Sequence, residues 1–167
     1  MRGRLARLLV PLALVAAALA TFGCAAKRMQ VGSDRFEKAQ LAESGAIAAE
    51  IEKLTARATK LMEVCSADKF TSGLTYKRLA PFFETQKDRD AFVATFAARL
   101  REAGFRRDRI KSFEIERVAI EKNEVVGFVR VRLKGHFWGP FSTELVEVMV
   151  WKKVKDEWFV WPQLQQR

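Results

Sequence analysis

"KSFEIERVAIEKNEVVGFVRVRLKG" (residues 111–135) reads as two strands of alternating polarity joined by a turn, with one slip in phase. Beyond the turn, Val125, Gly127, Val129, Val131 and Leu133 fall on one face. Before it, Val118 and Ile120 hold even positions, whereas Phe113 and Ile115 hold odd ones. A hairpin around Lys122-Asn123 would set Ile120 against Val125 and Val118 against Gly127. One extra residue near Glu116-Arg117 then brings Ile115 opposite Val129 and Phe113 opposite Val131. A β-bulge at that point gathers every apolar residue onto one face and bends the sheet. It also sets Glu114 opposite Arg130 on the other face, a favourable cross-strand pair. The stretch predicts a curved antiparallel sheet.

Downstream, "STELVEVMVWKK" (142–153) continues the alternation with apolar residues on both faces: Val146, Val148 and Val150 on one, Leu145, Met149 and Trp151 on the other. A "KVKDE" turn leads into "WFVW" (158–161), and Pro162 ends the ladder. Upstream, the period changes to that of helices. Asp34 with Glu37 makes a capping-box-like start, and Ile47, Ile51, Leu54, Ala58, Leu61 and Cys65 form one apolar seam on a long helix. Cys65 on that stripe reads as a small hydrophobe. "TYKRLAPFFETQ" (75–86) predicts a short helix bent at Pro81 that buries Tyr76, Leu79, Phe82 and Phe83. Asp88 or Asp90 would cap a third helix with Phe92, Phe96 and Leu100 on one face, stopped at Gly104.

Three helices followed by a curved antiparallel sheet, ending in the "WKKVKDEWFVW" hairpin (151–161), resemble the NTF2-like (SnoaL-like, cystatin-type) α+β superfamily over residues 34–162. The resemblance is carried by the long first helix, by Phe82-Phe83 and "RDAFVATF" (89–96), and by the terminal hairpin. It implies helices packed on a sheet that curls into a cone. That cone serves ligand-binding modules, isomerases, dehydratases and assembly proteins alike, so the fold alone does not select an activity.

The N-terminus supplies an address. Arg2, Arg4 and Arg7 precede an apolar run from Leu8 to Gly23, which at about 1.5 Å per residue spans roughly 24 Å, short of a bilayer core of roughly 30 Å. Pro11, the small residues that follow and "LATFGC" (19–24) suit a cleaved signal. Gly23-Cys24 resembles the lipobox of bacterial lipoproteins, with Thr21 where Leu is usual and Phe22 where Ala or Ser is usual. The resemblance implies a signal peptide over 1–23, acylation of Cys24, palmitate included, and a lipidated tether over 24–33. An α+β domain over 34–167 follows. Ala25, in the position where Asp marks inner-membrane retention, implies the outer membrane, facing the periplasm.

The whole chain carries a formal charge of +10, and its signal segment holds three Arg and no acid, so the mature protein stays basic. Export removes nucleic acid from the candidate partners. With Cys24 acylated, Cys65 has no intramolecular partner for a disulfide, and a single His (His136) makes a metal site a poor expectation. No cofactor motif is present.

Three candidate sites emerge. Arg106, Arg107 and Arg109 dominate the basic stretch "RLREAGFRRDRIK" (99–111), which would meet lipid headgroups, lipopolysaccharide phosphates or an acidic envelope protein. A solvated helix end is its plainer reading. Phe137, Trp138 and Phe141 crowd the corner "GHFWGPF" (135–141), with Trp158 and Trp161 as neighbours on the last strand, to line a pocket mouth or a partner patch. Core packing of a bent hairpin would use the same residues. Glu147, flanked by apolar neighbours, would act as a general base in an enzyme of this architecture, with Tyr76 or His136 as donor. The balance favours a non-catalytic binding or assembly module over an enzyme or an inert structural lipoprotein.

Overall fold

The computed structural model describes residues 27–31, 47–137 and 141–162. The signal segment, Cys24, the Asp34–Glu37 helix start and Trp138 lie outside them. The fold is α+β, with three helices ahead of a four-stranded antiparallel sheet. Helices α1 (Ala48–Ala67), α2 (Gly73–Arg78) and α3 (Gln86–Glu102) precede strands β2 (Ser112–Ile120), β3 (Val126–His136), β4 (Ser142–Val154) and β5 (Glu157–Val160). A further strand, β1 (Lys27–Val31), lies parallel to β4. These five residues belong to the stretch read as a tether, and they extend the sheet instead. β4 is the hub: one edge carries β3 along its length, and the other carries β1 at its start and β5 at its end.

The phase slip is a bulge. β2 and β3 pair Phe113 with Leu133 and Ile115 with Val131, skip Glu116, and resume with Arg117 opposite Arg130 and Val118 opposite Val129. The extra residue falls where the parity changes. The register is shifted by two residues from the tight-turn expectation, because Ile120 meets Gly127 rather than Val125. Glu124 at φ 57° and a Glu124 N–H to Glu121 carbonyl bond close a wider turn, leaving Val125 exposed. A shift of two preserves every face, so the apolar assignment survives it. It does change polar partners: Glu114 faces Arg132, while Glu116 pairs with Arg130 at 3.0 Å and with Arg132.

The helices cover the face that carries Val129, Val131, Leu133, Leu145, Met149 and Trp151. From the seam, Ile47, Leu54, Ala58, Leu61 and Cys65 are buried and Ile51 is half-buried. Gly127 lets α1 approach, since a Cβ there would stand 2.5 Å from Leu54 Cδ2 and 3.1 Å from the Trp158 ring. Phe92 and Phe96 stack at 5.1 Å, with Phe70 and Phe83 against them.

Helix boundaries differ from the expected ones for local reasons. α2 starts earlier because Ser72 caps it, its Oγ accepting from Thr75 N–H, and Pro81 belongs to a separate 3₁₀ turn over Ala80–Phe82. Thr85, rather than Asp88 or Asp90, caps α3: its Oγ1 accepts from Asp88 N–H while its hydroxyl donates to the Asp88 carboxylate. Tyr76 is half-buried, its hydroxyl donating to Asp90 and its ring lying 4.1 Å under the Arg89 guanidinium.

Candidate functional site

The chain builds one end of the sheet from the last turn of α1, the turn after α3, the end of β3 and the start of β4. α3 stops in a double-bonded cap. Gly104 adopts φ +87°, its N–H bonds the Arg101 carbonyl at 2.9 Å, and Phe105 N–H bonds the Leu100 carbonyl at 2.8 Å. The Phe137 ring rests on Gly104, where a Cβ would lie 2.5 Å from Phe137 Cδ2. Any side chain at this position would displace that ring.

Two buried residues, Phe105 and Ile110, hold the turn between them against the core. The stretch they bracket is thrown outward, so that Arg106, Arg107 and Arg109 are exposed. Arg107 and Asp108 both take left-handed backbone angles, φ 56° and 52°. Each such residue without the freedom of glycine costs roughly 1–2 kcal/mol. The surroundings hold the pair in place: Asp108 is buried, its carbonyl accepts from Phe70 N–H at 3.1 Å, and its carboxylate accepts from Thr71 Oγ1 at 3.3 Å.

Gly135 is the second contact that sets this end. A Cβ there would meet Phe105 ring carbons at 2.4 and 2.6 Å and the Arg109 carbonyl oxygen at 3.0 Å. Gly135→Ala should therefore destabilise the protein by about 1–3 kcal/mol through overpacking. An unchanged melting temperature would show that the turn does not bear on β3.

The result is a cleft of about 570 Å³ lined by Ser66, Ala67, Asp68, Arg106, Arg107, Arg109, Ile110, Lys111 and His136. Arg109 reaches Asp68 at 3.6 Å, and both side chains are largely exposed. Among the described residues no ion pair involves Arg106, Arg107 or Lys111. The C-terminal end of α1 accounts for part of the basic preference, since its carbonyls favour cations. It does not account for two arginines with open forks over a concave surface. Guanidinium groups offer paired donors that match phosphate and carboxylate oxygens.

The aromatic set divides. Phe137 and Phe141 are exposed beside this cleft, joined by Phe137 N–H to the Phe141 carbonyl. Trp158 and Trp161 belong to the opposite end of β4, where β5 pairs with Trp151–Val154. Trp158 is buried against Gly127, and Trp161 is half-buried with the Lys152 ammonium 5.8 Å from its ring. The expected gathering of all these aromatics at one corner is not what the fold makes, because the length of β4 lies between them.

Glu147 points into the core and is fully buried. Arg99 from α3 pairs with its Oε1, while Oε2 has no hydrogen-bond partner among the described residues. Burial pushes this carboxyl up to about 7, against the opposing pull of Arg99. Burial, with the Glu147 charge added, also pushes the Cys65 thiol up, which makes it a poor nucleophile. The donors expected beside Glu147 stand elsewhere. Tyr76 is engaged by Asp90, and His136 lies at the end of β3, about 17 Å along the strand from Val131, the residue opposite Glu147. No family model, no curated protein and no solved structure matches this chain.

Proposed function

We propose that this protein is a lipid-anchored component of the bacterial cell envelope whose single NTF2-like domain is a non-catalytic binding module for anionic groups. The anchor reading rests on Gly23-Cys24 after a short apolar run, and the domain reading on helices followed by a curved sheet. The observation that carries the binding reading is the cleft itself. Arg106, Arg107, Arg109, Lys111 and His136 come from a turn and a strand end distant in sequence, and they share one concave surface with a single carboxylate, Asp68, lining it. Phosphate-bearing envelope components have the complementary chemistry.

Pyrophosphate is a suitable probe. Added to the full-length protein in neutral detergent at about a hundred times its dissociation constant, it should stabilise the fold by about 2.7 kcal/mol. The gain should vanish in the triple variant Arg106→Glu, Arg107→Glu, Arg109→Glu and fade with salt, since exposed charges are screened over about 8 Å at physiological ionic strength. Equal stabilisation of both proteins would sink the reading. One observation favours an enzyme instead, a buried carboxyl shifted to about 7. That rival requires substrate turnover to disappear in Glu147→Gln while the fold survives.

A further inference from the structure

Three features that the proposed function does not connect lie at the same end of the molecule. The first is the cationic cleft. The second is the pair of exposed aromatics, Phe137 at 46 % and Phe141 at 41 % exposure, on the turn that joins β3 to β4. The third is the point at which the chain enters the sheet. β1 is parallel to β4 with Lys27 beside Thr143, so its first residue sits at the start of β4, next to that turn. Three peptide steps, through Ala25 and Ala26, join Cys24 to Lys27, a reach of at most about 11 Å. The far end of β4, at Val154, is eleven residues from Thr143, about 37 Å along the strand. The chain thus enters the sheet at the cleft end, and an anchor at Cys24, as proposed, would hold that end nearer the bilayer.

From this placement we infer that the cleft end docks flat on an anionic phospholipid bilayer, with Arg106, Arg107 and Lys111 on headgroup phosphates and Phe137 and Phe141 in the interface. The inference rests on the lipid-anchor and anion-binding readings and names the source of the anion. The chemistry on the surface is that of an interfacial contact. Basic side chains gain from the negative potential of such a leaflet, and exposed phenyl rings bury apolar area at the boundary of headgroups and acyl chains. A tether that joins the sheet within three residues of its lipid leaves the domain little freedom to turn this end away. The opposite end carries the β4–β5 turn, Lys155-Asp156, where the two charges offset each other, and would face the aqueous side.

The test uses the full-length acylated protein in vesicles, so that anchoring is constant and only orientation is read. An environment-sensitive fluorophore is placed on a cysteine at Ser142, which is exposed and adjacent to Phe141, and in a second protein at Asp156. Cys65 is buried and does not compete for the label. In vesicles of phosphatidylcholine with phosphatidylglycerol, the Ser142 probe should shift to the blue and be quenched by acyl-chain-labelled lipid. Both signals should be lost in phosphatidylcholine alone, in the triple Arg-to-Glu variant, and at about 1 M salt, where the screening length is about 3 Å. The Asp156 probe should stay unquenched throughout. Identical Ser142 emission in neutral and anionic vesicles overturns the docking, and so does quenching at Asp156 in place of Ser142. If pyrophosphate still stabilises the protein in that case, the cleft binds anions and only its membrane role falls.

Discussion

At pH 8, Glu147→Gln should make the protein more stable, not less, and Arg99→Leu should make it less stable. The sign follows from burial. Glu147 is fully buried and its carboxyl is raised to about 7 from an ordinary value of 4.5. The folded state therefore holds the proton more tightly than the unfolded chain does. Its contribution to stability is fully present below about pH 4.5 and is lost as pH rises through 7. At about 1.4 kcal/mol per pH unit across that window, the loss is about 3 kcal/mol. The amide of the Glu147→Gln variant has no such proton to lose, so its profile should be flat there and overtake the wild type within that window, with the gap fully open above pH 7. Glu50 works in the opposite sense. Its carboxyl is held down at about 2, chiefly by a hydrogen bond from Lys153 and then by one from Lys53, so its contribution fades as pH falls below 4.5. The wild-type optimum should thus lie near pH 4.5, where the two windows meet. Chemical denaturation between about pH 2 and 9 measures all of this, and a Glu147→Gln profile parallel to the wild type would refute it.

Arg99→Leu removes the guanidinium that pairs with Oε1 of Glu147. A buried carboxyl left without its partner takes up a proton instead, so the loss should grow by about 1.4 kcal/mol for each pH unit above 7. The cost should be largest above pH 7 and should shrink toward pH 5, where Glu147 is already protonated. Combining Arg99→Leu with Glu147→Leu should recover most of the loss, because an apolar pair of this size replaces the ion pair without desolvating a charge. A double variant as unstable as Arg99→Leu alone would show that Arg99 acts through packing elsewhere.

Periodicity makes the layers of this fold legible. The step pattern from Ile47 to Cys65 identifies the buried stripe of α1, and the parity change in β2 identifies the bulge, because both depend only on which residues avoid water. Turn length is not legible in the same way. Lys122-Asn123 looks like a tight hairpin, yet the left-handed Glu124 widens it and moves the pairing by two. Helix caps are equally ambiguous, since Thr85 and Asp88 both suit a cap and only the backbone geometry decides between them.

The candidate site is legible only in parts. The basic run from Arg106 to Lys111 is visible as composition, but its concavity depends on Phe105 seating on Gly135, a contact between residues thirty apart. A glycine inside an expected strand is the available signal, because it marks a close approach by another segment. Grouping Trp158 and Trp161 with Phe137 and Phe141 assumes that consecutive hairpins fold back together. The length of β4 separates them instead. The parallel strand at Lys27–Val31 gives no hint, since "KRMQV" is too polar to read as a sheet edge.

Deleting Glu116 should lower the melting temperature far more than replacing it. The deletion restores strict alternation along β2, so either Phe113 and Ile115 turn to the outer face or the strand loses its pairing with β3. Both side chains are half-buried and pack against the helical core, so each forfeits part of the roughly 1.5–3 kcal/mol that full burial provides. The ion pairs of Glu116 with Arg130 and Arg132 are lost as well. Together these amount to about 3 kcal/mol, or a fall of about 6–12 °C in a protein of this size. Glu116→Ala separates the two causes. It keeps the residue count and the bulge while removing the carboxylate, whose partners are about a quarter to a third exposed, and so should cost about 1 kcal/mol or less. If the deletion costs no more than Glu116→Ala, the phase of the strand is not set by the extra residue, and the curvature of the sheet must come from elsewhere.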